Sequence, residues 1–310
     1  MTFNRIYLSA GTDAVDAALI TKDLALKNFA ADMGIPLPYI AVIGDSANDI
    51  PLLKIPNLGL VGAPNNAQVI VKQTVETISK SYLSNKDFLD GFMDFYTHCI
   101  EAGIAYVFAD RDGVLIWKED LPEKSHLREI IGRMGREGRP FITIVTGSSY
   151  EQNMDFVHKY GLNSSLASNE RIRENPYVIY AENGAVQINI LDGSIRNHPE
   201  LLDRDLLRVL KTDFLNALLS NVEKRILPIF NLEFSKQLSD ERSKIYLPPK
   251  KAMVTLNIPR EHHGIEDYHR TPESDRLRHA ILKEMVTVAQ HLGLPYEVLG
   301  VGEGVDELAS

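Results

Sequence analysis

Three apolar runs share one pattern: YIAVIGDS (39–46), IAYVFADRDG (104–113) and PFITIVTGSS (140–149). Each is rich in Val, Ile and aromatic residues and ends in small polar ones. Continuous apolarity, unlike alternation, suits strands covered on both faces, as in a parallel sheet flanked by helices. The segments between them agree. TKDLALKNFAADMG (21–34) places Leu24, Leu26, Phe29, Ala30 and Met33 at mostly helical spacing, with Thr21 as N-cap and Gly34 as the stop. KSHLREIIGRMGREG (124–138) repeats the plan with Leu127, Ile130, Ile131 and Met134 on one face. Helices alternating with short apolar strands predict an α/β fold with a doubly wound parallel sheet.

From about residue 191 the texture changes. Residues 199–225 read as one amphipathic helix, KAMVTLNIP (251–259) alternates like a half-exposed strand, and 274–293 read as another helix. The expected organisation is a core over 1–190, a second, smaller α/β layer inserted over 191–295, and a return to the core over 296–310.

Composition narrows the function classes. A chain of 310 residues, 44% hydrophobic and 24% charged, builds one large domain or two smaller ones. Its formal charge of −9 supplies no basic field for nucleic acid or an anionic membrane. The single cysteine, Cys99, rules out a disulfide framework and a cysteine-rich zinc site, and points to a reducing compartment. No apolar segment approaches the roughly 20 residues that span a bilayer, and the first residues lack a signal-peptide pattern. A cytoplasmic, soluble protein is expected.

In an open parallel sheet, ligands sit beyond the carboxyl ends of the strands. That geometry gathers Asp45, Asn48 and Asp49 of GDSAND with Asp110 and Asp112 of DRDG and with Thr146 of TGSS. Clustered carboxylates repel unless a cation lies among them, and an all-oxygen donor set suits Mg²⁺. Taken singly, each stretch reads equally well as a polar turn or a helix cap. Other polar features carry less. His262 and His263 fall in a polar loop, and Lys250, Lys251 and Arg260, though long enough to reach a substrate, read better as a solvated rim. GVGEGVDE (300–307) fits no nucleotide-binding spacing. Trp117 and Tyr150 follow motifs, with core packing as the default for aromatics.

Together, VFADRDGVL, IVTGS, a lysine ahead of the next strand and IGDSAND resemble the four motifs of the haloacid dehalogenase superfamily phosphatases. YAENGAVQI (180–188), KDLALKNFAADMGI, GDSANDIPLL and VGAPNNAQVIVK are similar to the Cof-type sugar phosphatases, which carry an α/β cap. Val114 stands where Thr is commoner. The resemblance implies a Mg²⁺-dependent phosphomonoester phosphatase acting on a sugar phosphate or similar small phosphorylated metabolite. It implies Asp110 as the nucleophile that becomes an aspartyl-phosphate, and Asp112 as the acid and base. It assigns phosphate to Thr146, Gly147, Lys22 and Asn48, and the metal to Asp110, Asp112, Asp45 and Asp49. Lys22 fits the lysine motif better than Lys27. Two alternatives stay open: a non-catalytic binding module on an incomplete scaffold, and a phosphotransferase using the same residues.

The motif order departs from the family's. Here the lysine and acidic loop (1–98) precede the nucleophile and threonine (101–190), as in a circular permutation whose old termini are joined through SNKDFLDGFMDFYTHCIEAG (84–103). The rival is a homodimer with exchanged halves. FNRIYLSAG and YEVLGVGEG both fit the strand that returns from cap to core.

Overall fold

The computed structural model describes residues 5–11, 14–116, 126–134, 140–167, 169–174, 177–197, 203–235, 244–258 and 272–299. Two compact units divide the chain: Met1–Ile20 with Pro199–Ser310, and Thr21–His198. Strands β1 (Ile6–Ala10) and β2 (Ala14–Ala18) belong to the first unit. The second holds β3 (Ile40–Ile43), β4 (Leu60–Ala63), β5 (Ser81–Leu83), β6 (Tyr106–Ala109), β7 (Phe141–Val145), β8 (Tyr177–Ala181), β9 (Val186–Asn189) and β10 (Ile195–Asn197). The first unit then adds β11 (Phe234–Ser235), β12 (Ile245–Tyr246), β13 (Met253–Asn257) and β14 (Tyr296–Leu299).

The second unit is the expected α/β layer structure. Its sheet runs β10-β9-β8-β7-β6-β3-β4-β5, parallel from β8 to β5, with β9 and β10 antiparallel at one edge. Every residue of β3 and β7 is buried, which is why those runs are apolar without alternation. Helix Lys22–Asp32 buries Ala25, Leu26, Phe29 and Ala30. The Phe29 ring meets Tyr106, Phe108 and Tyr180 edge-on at 5.4, 5.0 and 6.2 Å between centroids, spanning two parallel strands. Helix Phe88–Glu101, inside the segment expected to join the old termini, carries the chain from β5 at the sheet edge back to central β6. It buries Phe92, Phe95, Tyr96 and Cys99, and Phe95 packs where a Cβ on Gly62 would sit 2.4 Å from its ring. Burial pushes the Cys99 thiol pKa up, so it is a core residue.

The first unit differs from the expected boundaries. The span 1–20 was assigned to the core by sequence, yet its strands β1 and β2 pair in the other sheet, ordered β11-β12-β13-β2-β1-β14. The strand at 296–299 does not return to the core: β14 lies parallel to β1 with Ile6 opposite Tyr296. The two segments that competed for one strand are therefore neighbours in a single sheet. The reason is alternation. Ile6, Leu8, Val15, Ala17 and Leu19 face an apolar cluster with Leu210, Phe214, Leu218, Ile281 and Met285 of the two long helical segments. Ser9, Asp16 and Thr255 stand in register on the other face. Lys250, read as a solvated rim, is buried, because its Nζ donates to Thr255 Oγ1 at 2.6 Å and lies 3.9 Å from Asp16.

One turn ties the second unit's sheet to the first helix of that unit. Between β8 and β9, Glu182, Asn183 and Gly184 all have positive φ, at 50°, 58° and 103°. A Cβ on Gly184 would lie 2.2 Å from the Cβ of Ala25. Gly184→Ala is thus expected to cost about 2–4 kcal/mol, combining the left-handed backbone with a clash that rigid elements cannot relieve. Thermal or urea unfolding of the variant checks this, and an unchanged midpoint refutes it.

Candidate active site

Three loops at the carboxyl ends of adjacent strands bring the chemistry together. β3 runs into Gly44 and Asp45, β6 into Asp110, and β7 into Thr146. Because β6 lies between β3 and β7, residues distant in sequence become sheet neighbours. The Asp110 amide donates to Ile43 O at 3.2 Å, continuing the ladder into the site. Gly113 turns the DRDG loop back with φ 84°, and a Cβ there would stand 2.3 Å from Asp45 Oδ2. Only glycine fits at that approach.

Lys22 sits at the centre. Its Nζ donates to Asp110 Oδ2 at 2.6 Å and to Asp49 Oδ1 at 2.7 Å, and all three side chains are buried. Burial disfavours its charge, but Asp110 and then Asp49 more than offset this, so the pKa rises and the ammonium is retained. Lys27, the rival lysine, is on the surface paired with Asp23 at 2.7 Å.

The carboxylates differ by their partners. Asp49 Oδ2 accepts from the amides of Asp45 and Ser46, each at 3.1 Å, while its Oδ1 takes Lys22. Asp110 Oδ1 accepts the Arg111 amide at 2.7 Å. Asp45 is buried, and its Oδ1 has no hydrogen-bond partner among the described residues. Burial, then the charges of Asp49 and Asp110, hold the Asp45 pKa well above the usual carboxylate range. Burial likewise pushes Asp110 up to about 7, against the pull of Lys22.

Asp112 stands apart from this group. One oxygen of each of Asp45, Asp49 and Asp110 lies within 4.8 Å of the others, and the Asp112 carboxylate is not among them. Instead its Oδ2 accepts from Arg111 Nη2 at 2.7 Å, Arg111 Nε at 3.2 Å and Ser148 Oγ at 3.1 Å. Thr146 is buried, its Oγ1 accepting the Ser148 amide at 3.1 Å. Asn48 is half-buried and its side-chain oxygen accepts from Ser46 Oγ. Gly147 lies against Asn183, whose buried Oδ1 has no hydrogen-bond partner among the described residues. The Tyr150 hydroxyl donates to Gly193 O at 2.9 Å, a structural contact. Trp117, Arg260, His262, His263 and GVGEGVDE lie outside the described residues.

The donor set fits a hard divalent cation. Three carboxylates against one ammonium leave two formal negative charges, and Asp45 offers an unengaged buried oxygen beside Asp110. All-oxygen ligation of that kind suits Mg²⁺. Because Lys22, Asp45, Asp49 and Asp110 meet within one chain and one unit, exchange of halves between two copies is not needed to assemble the group.

Residues 15–89, which hold Lys22 and the acidic loop, match the family model of haloacid dehalogenase-like hydrolases. A phosphoglycolate phosphatase from Methanothrix thermoacetophila is 35% identical over 85 residues, 27% of this chain. The match spans about a third of that relative's length, 35%. No solved structure matches the chain. Among the described residues, no helix is long and apolar enough to cross a membrane.

Sequence reasoning passed over Arg111, Ser148 and Asn153, which join the DRDG and TGSS loops. Arg111 is 6% exposed, and its Nη1 donates to Asn153 Oδ1 at 3.0 Å. The signal available was a strongly basic residue between two aspartates, in a loop leaving a buried strand.

The pKa shifts give a testable sign. A carboxyl whose pKa is higher folded than unfolded stabilises the native state fully below the unfolded value, about 4, and loses that effect as pH rises through the folded value. At about pH 8 in chelator, Asp45→Asn therefore unfolds at a higher temperature than wild type, and the gap narrows near pH 5. Added Mg²⁺ is expected to reverse the order, because the unengaged Asp45 oxygen that suits it is present in the wild type alone. Thermal melts at the two pH values decide; a less stable Asp45→Asn at pH 8 in chelator contradicts the assignment.

Proposed function

We propose that the chain is a Mg²⁺-assisted phosphomonoester hydrolase acting on a small phosphorylated metabolite, with a sugar phosphate as the substrate class. The observation that carries this reading is the buried Asp110 carboxylate, held by Lys22 at 2.6 Å beside the unengaged Asp45 oxygen. A relative named phosphoglycolate phosphatase, similar over part of its length, supports the reaction class. The motif order is read as a circular permutation of the family's, with the first unit as the cap.

In the proposed reaction Asp110 attacks phosphorus through the oxygen freed from Lys22. The new Asp110–phosphorus bond forms as the bond from phosphorus to the ester oxygen breaks. Asp112 gives its proton to the departing oxygen, which leaves as an alcohol. Water then attacks the phosphorus of the aspartyl-phosphate, yields a proton to Asp112, and releases phosphate and the Asp110 carboxylate. Thr146 and the Gly147 amide bind phosphate oxygens, and Asn48 flanks them. Lys22 stays charged throughout and stabilises the transferring group, where electrostatic preorganisation supplies most of the acceleration. Asp45 and Asp110 would hold Mg²⁺, with Asp49 fixing the loop that carries Asp45. When bound, the ion neutralises phosphate charge as a Lewis acid.

Hydrolysis of p-nitrophenyl phosphate with Mg²⁺ or chelator tests the proposal. Inorganic phosphate is expected only with the cation. Asp110→Asn should form no acid-stable phosphoenzyme, and Asp112→Asn should slow turnover of an alkyl phosphate by about 10²–10⁴-fold. Equal rates in chelator, or full activity in Asp110→Asn, would remove this function.

A further inference from the structure

The guanidinium of Arg111 has more partners than a loop residue between two acids requires. Its side chain is 7% exposed against 30% for the Asp112 it pairs with. Nη2 donates to Asp112 Oδ2 and to Ser148 Oγ, each at 2.7 Å. Nε adds a longer bond to Asp112 at 3.2 Å, and Nη1 reaches Asn153 Oδ1 at 3.0 Å. The circuit is closed. Ser148 Oγ accepts from Arg111 and donates to Asp112, while Asn153 Nδ2 donates to the carbonyls of Ser148 at 3.2 Å and Ser149 at 2.8 Å. Below the plane, Phe156 lies 5.7 Å from the guanidinium carbon.

Two consequences follow from this geometry. A planar fork held at three nitrogens and packed on a ring has one orientation, so the carboxylate it grips has one as well. All the donors converge on Oδ2, and the partly exposed Asp112 is thereby aimed rather than buried. The same residue's backbone amide holds Asp110 Oδ1. Arg111 thus fixes the spacing between the two carboxylates from both ends of one amino acid.

Resting on the hydrolase reading above, we propose that Arg111 is the positioning residue for Asp112, with Ser148 as its relay. It holds that carboxylate where it serves the departing ester oxygen. It therefore governs how well the protein cleaves esters of poor leaving groups, which need a proton delivered, relative to aryl esters, which do not. Lysine cannot replace it, because a single ammonium reproduces neither the fork nor the bond to Asn153.

The test compares kcat/KM for glycerol 2-phosphate and p-nitrophenyl phosphate in wild type, Arg111→Met, Arg111→Lys and Ser148→Ala. Arg111→Met is expected to lose about 100-fold on the alkyl ester and under about 5-fold on the aryl ester. Arg111→Lys should fall between it and wild type. If Arg111→Met does not fold, Ser148→Ala, which removes one donor and leaves no unpaired charge, should still lose several-fold on the alkyl ester alone. Equal losses on both esters in the folded variants, or a change confined to KM, would overturn the positioning role while leaving the hydrolase intact. A wild type that releases phosphate from neither ester would overturn both readings.

Discussion

The second unit is organised around a buried ammonium. Removing Lys22 from water is costly, and one carboxylate at close range barely offsets that cost. Two do: Asp49 at 2.7 Å and Asp110 at 2.6 Å. The converse holds for Asp110, whose pKa burial pushes up against the pull of Lys22. The surrounding elements deliver these three groups to one point. Phe29 locks the lysine's helix to β6 and β8, and Gly184 lets the turn after β8 close on Ala25, three residues past Lys22. The amides of Asp45 and Ser46 grip Asp49, and the Arg111 amide grips Asp110.

Around that ammonium, four aspartates of identical chemistry meet four different sets of partners. Both oxygens of Asp49 are engaged, so it serves as a fixed brace. Asp110 shares its oxygens between an amide and an ammonium. Asp45 keeps one oxygen unengaged, the feature expected of a ligand for a hard cation. Asp112 answers to a guanidinium and a hydroxyl at the more open side. A site that needs a nucleophile, a cation ligand and a proton carrier together separates them by neighbours rather than by residue type.

Much of this was legible in the sequence, for a physical reason. Runs such as 40–43 and 141–145 announce strands because burial on both faces leaves no room for polar alternation. The polar residues that end them stand out against that background, which is how Asp45, Asp110 and Thr146 could be named. β1 and β2 were harder: each is five residues long, and their alternation fits either sheet until a partner is known. Lys250 was misread and Arg111 passed over for a common reason. A basic residue in a loop reads as solvated, and it is buried here only because Ser148 and Asn153, or Thr255 and Asp16, come from remote strands and helices to meet it. Such partners are a property of the fold and have no local trace.

The order of motifs along the chain is a weaker constraint than their order across the sheet. β3 and β6 must lie side by side with Ile43 opposite Ala109, because Asp45 and Asp110 follow directly from those ends. A one-residue slip would turn the carboxylates to the opposite face. Which strand comes first matters only through the connection, and loop-closure entropy grows by only about 0.6 kcal/mol for each doubling of length. The helix Phe88–Glu101 makes that connection while adding Phe92, Phe95 and Tyr96 to the core, so burial on the sheet sets much of the closure cost aside. The GDSAND loop can therefore precede the DRDG loop along the chain and still meet it, provided the parallel register between β3 and β6 is kept.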